Sequence, residues 1–66
     1  MDTKYPDITV NLIGQDGNAF AILGRTTTAL IRAGVDTDEI QEFSNEATSG
    51  DYNHLLRTVM AWVDVN

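Results

Sequence analysis

"NAFAILGRTTTALIRAGV", Asn18 to Val35, is the stretch on which the fold turns. On a helical wheel Ala19, Phe20, Ile22, Leu23, Thr26, Thr27, Leu30, Ile31 and Ala33 cover more than half of the circumference, and Arg25, Thr28 and Arg32 take the rest. An apolar arc that broad predicts a helix packed on two sides, the central element of the fold. Gly24 and the run Thr26-Thr27-Thr28 lower its helix propensity. The alternative is a hairpin, in which "ITVNLIGQDGNAFAIL" turns at Asp16-Gly17 and residues 19–23 form the second arm. Positions 19, 23, 27 and 30 share one helical face, whereas strand alternation breaks at Ala19 and Ala21, so the helix is favoured. Asp16 or Asn18 supplies its N-cap, and Gly34 its left-handed C-terminal residue.

Upstream, Pro6 holds Tyr5 extended, and "DITVNLI" (7–13) alternates Ile8, Val10 and Leu12 with Thr9 and Asn11, which predicts a strand. Residues 1–6 read as a flexible tail and 7–66 as a single compact domain. Downstream, "DTDEIQEFSNEA" (36–47) opens on Asp36 with Glu39 three residues on, an Asp-led relative of the capping box, and carries the narrow apolar stripe Ile40, Phe43, Ala47. Only Gly34-Val35 separates this second helix from the first, which makes an αα-hairpin. After the break at Ser49-Gly50, Tyr52, Leu55, Leu56, Val59, Met60, Trp62 and Val63 recur at helical spacing, giving a third helix to about residue 61. The closing "WVDV" (62–65) alternates and offers a short partner strand for residues 8–13. The class that follows is α+β: one N-terminal strand, three helices and a short C-terminal strand.

The composition narrows the function classes. A chain of 66 residues without cysteine has neither disulfide nor thiolate metal site. A net charge of −6, from ten acidic and four basic residues, opposes direct nucleic-acid binding, which neutralises phosphates with Lys and Arg. No run approaches the roughly 20 apolar residues of a membrane span, and "MDTKYPDITV" lacks the basic and apolar regions of a signal peptide. A cytoplasmic location follows as the expectation. With so small a core, self-association into a homo-oligomer is expected to add stability.

Few residues suggest chemistry. "GQDGN" stands between strand and helix, where anion sites form, so Gly14, Gly17 and Asn18 are the candidate ligand-binding residues. The spacing matches neither nucleotide-binding glycine motif, no lysine is at hand, and Asp16 puts a carboxylate where a phosphate would lie. Glu39, Glu42 and Glu46 form an acidic stripe on helix two, the candidate surface for a basic protein partner, and Arg25 and Arg32 are placed to pair with some of its acids. These carboxylates lack the register of a calcium loop, so no metal is expected. His54 is the sole histidine, and Ser44 and Ser49 fall in caps or solvent, so no catalytic set and no cofactor are assigned. Trp62 and Tyr52 read as core, with Met60 and Leu56 at the edge of the helix-three arc.

"GQDGNAF", "ALIRAGV", "EATSGDYNHLL" and "WVDV" together resemble a group of short, uncharacterised bacterial and phage proteins, over about residues 8–65. The resemblance implies a compact domain carried by mobile elements, and no activity or functional residue comes with it. The expected function is therefore a non-enzymatic, self-associating interaction module that binds another macromolecule, with a binder of a small anionic ligand or nucleotide at Gly14–Asn18 as the alternative.

Overall fold

The structure is a computed structural model that describes residues 3–12 and 18–65. Five elements follow one another: β1 (Tyr5–Val10), α1 (Ala19–Arg32), α2 (Thr37–Ala47), α3 (Tyr52–Trp62) and β2 (Val63–Val65). This is the expected α+β domain. The two strands pair in parallel as a two-stranded sheet, with the three helices as the crossover that parallel strands require. Residues 19–23 are helix, not the arm of a hairpin.

Cap chemistry sets the helix ends. Asn18, not Asp16, is the described N-cap of α1: its side-chain oxygen accepts from the N–H groups of Phe20 at 2.8 Å and Ala21 at 3.4 Å. At the other end Gly34 takes φ +82°, the N–H of Gly34 bonds Ile31 O at 3.0 Å, and the N–H of Val35 bonds Leu30 O at 3.1 Å. That pair of bonds is a Schellman motif, and it turns the chain into α2 within a few residues. The capping box expected from Asp36 and Glu39 does not form, because the Asp36 side chain makes no cap bond and Glu39 is engaged elsewhere.

Glu39 reaches back to the start of the chain, where its Oε1 lies 2.6 Å from Lys4 Nζ and the nearby Tyr5 hydroxyl helps hold its carboxyl below the ordinary value. The first turn of α2 therefore sits at the start of β1. The C-terminal end of α1, separated from it by only four residues, must lie there too, so α1 runs antiparallel to β1. Lys4 N–H donates to Ala61 O at 2.9 Å and Thr3 Oγ1 to Met60 O at 3.3 Å, which brings the end of α3 to the same place. From there β2 sets out beside β1.

These contacts correct two expectations. Residues 3–6 are not a loose tail: Tyr5 and Pro6 belong to β1, which spans 5–10 rather than 7–13. Pro6 fits because the ladder is irregular where it stands; Tyr5 pairs with Val63 and Thr9 with Asp64, so β1 advances four residues while β2 advances one. The far end stops at Val10 because β2 offers only three residues to pair with.

The core joins Val10, Ile22, Leu30, Phe43, Ala47, Leu55, Val59, Trp62 and Val63. Buried Thr26 and Thr58 are satisfied by bonds to Ile22 O at 2.9 Å and His54 O at 2.8 Å. Helix α1 buries one seam, Ile22, Thr26 and Leu30, and not two sides as expected: Phe20 is 85% and Ile31 60% exposed. Four further short elements are too few to cover the whole apolar arc. Tyr52 at 40% and Met60 at 58% are likewise exposed, whereas Trp62 is core as expected.

Two predictions follow from this packing. Phe43→Ala, which empties a fully buried site against Trp62, should lower unfolding stability by about 3–5 kcal/mol in urea titration. The Lys4 and Tyr5 bonds hold the Glu39 carboxyl below its ordinary value, and the same contacts raise Lys4 and Tyr5. A lowered carboxylate contributes stability above the ordinary carboxylate range and loses it as pH falls through the folded-state value. Wild type should thus be more stable than Glu39→Gln near neutrality, with the difference vanishing in acid; a difference undiminished in acid would refute this account.

Candidate functional site

A two-stranded sheet leaves strand edges open. Among the described residues β1 pairs only with β2, so its other edge carries main-chain donors and acceptors without a ladder partner. Along that edge runs a shallow groove of about 780 Å³. Its strand side is formed by every residue from Asp7 to Asn11 in succession, which is what the edge of a strand presents; a face would present alternate residues. Its other wall is α1, through the pairs 20–21, 24–25, 28–29 and 32–33, the fourfold repeat of one helical face.

The wall is low in the middle. Ala21, Gly24, Thr28 and Ala29 are small, and a Cβ built on Gly24 meets nothing within 4 Å. Phe20 stands at one end and Arg32 at the other. Arg25 and Arg32 therefore border β1, in a groove that none of the α2 acids they were expected to meet lines, and Arg32 also complements the C-terminal end of the α1 dipole.

The expected sites are distributed differently. Gly14 and Gly17 lie outside the described residues; Asn18 is described, and its side-chain oxygen serves the α1 cap. Of the stripe Glu39, Glu42 and Glu46, Glu39 is half-buried and paired with Lys4, while Glu42 and Glu46 stay exposed. Among the described residues no three His, Asp or Glu side chains gather as a metal site would need. No described helix is long and apolar enough to cross a membrane.

His54 and Ser49 do come together, with Nε2 and Oγ 3.1 Å apart. Both converge on the carbonyl of Glu46, at 2.9 Å from Nε2 and 2.7 Å from Oγ. A carbonyl only accepts, so Nε2 carries the hydrogen and is no base for the serine. The pair closes the C-terminal end of α2 over the start of α3, while Asp51 caps α3 through the His54 N–H at 2.9 Å. Gly50 is needed beneath the ring, since a Cβ there would stand 2.8 Å from His54 Cγ.

Phe20 also borders a second, more apolar hollow of about 350 Å³ lined by Leu23, Leu55 and Tyr52. The exposed Phe20 and the strand edge are what sequence reading missed. Gly24, inside an otherwise regular helix, was the available signal. Comparison with protein-family models, with curated proteins and with solved structures finds no match to this chain.

Because Gly24 is exposed and unobstructed, Gly24→Ala should stabilise the chain by about 0.5–1 kcal/mol through helix propensity alone. Urea unfolding of dilute protein measures this. A loss of stability would show that the glycine serves the isolated fold.

Proposed function

We propose that this chain is a non-enzymatic interaction module whose working surface is the groove between β1 and α1. The observation that carries the reading is an unpaired strand edge facing a helix wall that is low at its centre, with room between them for another backbone. An extended polypeptide segment entering there adds a strand to β1: its main chain supplies the hydrogen bonds and its alternate side chains meet α1. Gly24 lets that segment approach closely. The exposed acids Glu42 and Glu46 lie off the groove and suit a basic macromolecular partner held at the same time. A cytoplasmic accessory protein of a phage or other mobile element, as the sequence resemblance implies, is a fitting setting.

The alternative, a small anionic ligand at Gly14–Asn18, draws support from the two arginines in the adjoining groove. It is weakened because the Asn18 cap already occupies the N–H groups of Phe20 and Ala21. One experiment separates the readings. Random peptides selected by display on the full chain are titrated into labelled protein, and thermal shift is run in parallel with ATP, GTP and inorganic phosphate. Amide shifts confined to Asp7–Asn11 and the facing side of α1, abolished by Gly24→Trp, are expected, with no thermal response to the anions. An anion at 100 times its Kd would add about 2.7 kcal/mol and reverse the choice; peptide shifts centred on Glu42 and Glu46 would move the working surface to α2.

A further inference from the structure

We infer that the groove takes a second copy of this chain, β1 pairing with β1 antiparallel across a two-fold axis near Thr9, with the two α1 helices side by side above the four-stranded sheet. The inference rests on the reading that the groove accepts a strand, and it names the occupant.

A two-fold interface uses the same patch twice, so whatever lies at one end of the patch must suit what lies at the other. Because α1 runs antiparallel to β1, Asp7 and Arg32 share one end of the groove, while Asn11 and Phe20 share the other, with Arg25 toward it. The axis exchanges these ends. Asp7 of one copy comes opposite Asn11 of the second, and the Arg32 stem and guanidinium come over the second copy's Phe20 ring. Thr9 is the midpoint of the strand lining and 26–27 that of the helix lining, so one axis through the centre of the groove relates both layers.

The surroundings agree with this occupant. Phe20, 85% exposed in the single chain, becomes covered. A two-stranded sheet, marginal alone, becomes four strands in the order β2-β1-β1-β2. Gly24 and Thr28 let two α1 helices approach where bulkier residues would hold them apart. The exposed acids of α2 do not line the groove, so the interface leaves out most of the charge that makes each copy −6.

Sedimentation over a wide concentration range tests the mass, and half-labelled NMR samples test the contacts. Expected are a species of twice 7.3 kDa and intermolecular proximities joining Asp7 to Asn11 and Phe20 to Arg32. Phe20→Ala, which removes an exposed ring and leaves the fold intact by circular dichroism, should raise the dimer dissociation constant about tenfold or more. Gly24→Arg should do so independently, and Glu42→Lys should not. A chain that stays at 7.3 kDa throughout, or a dimer joined through Met60 or Ile31, overturns the inference. Should that monomer still bind displayed peptides in the groove, only the identity of the occupant falls; should it bind none, the strand-addition reading falls with it.

Discussion

Trp62 is the constraint on which the rest of the structure depends. It is the last residue of α3, immediately ahead of β2, and three partners converge on its ring: Phe43 of α2 edge-on at 5.4 Å between centroids, Tyr5 of β1 at 6.1 Å, and Lys4 Nζ at 4.2 Å. Aromatic pairs of this kind add about 0.5–1.5 kcal/mol each beyond burial. Their greater effect here is positional. Parallel strands at opposite ends of the chain close a loop through the whole molecule, an entropic loss that local contacts do not offset. By seating Tyr5 against the residue just before Val63, Trp62 sets where the two strands meet, and the Lys4–Glu39 bond adds the start of α2 to the same knot.

This clasp also explains which parts of the fold are legible in the sequence. The three helices are, because their signals are local: the seam at 22, 26 and 30, the Asn18 cap, the glycine that closes α1, and the break at Ser49-Gly50. The boundary of β1 is not. Nothing near Tyr5 and Pro6 distinguishes an anchored strand from a loose end, since the anchoring contacts, Lys4 to Ala61 and Tyr5 to Trp62, each span 57 residues of sequence. Glu39 illustrates the same limit. Its spacing from Asp36 fits a capping box, yet a lysine from the other end of the chain takes the carboxylate, because a charged partner with a tyrosine hydroxyl beside it outweighs one neutral backbone N–H.

The candidate site was less legible than the fold, for a different reason. Periodicity records which residues are apolar, and not whether another element arrives to cover them. Phe20 and Ile31 belong to the apolar arc of α1 as surely as Ile22 and Leu30 do, but the chain has too few elements to reach them. Arg25 and Arg32 were assigned to the acids of α2 by proximity along the chain, whereas helix rotation places them over β1. The open edge of β1 cannot be inferred from composition, because it depends on how many strands pair and in which order.

Three departures from what an isolated fold would favour fall on one surface. Gly24 lowers the stability of a helix in which Ala would fit, Phe20 holds a large apolar ring in water, and β1 has no ladder partner on its outer edge among the described residues. Polar groups elsewhere are satisfied: the buried threonines are bonded, no described buried side-chain polar atom lacks a partner, and the α2–α3 turn is closed by Ser49 and His54. Isolated departures in a chain this small would have separate explanations. Their coincidence along a single groove supports the proposed reading, in which a strand laid between β1 and α1 would pair the edge, cover the ring and use the space that Gly24 leaves.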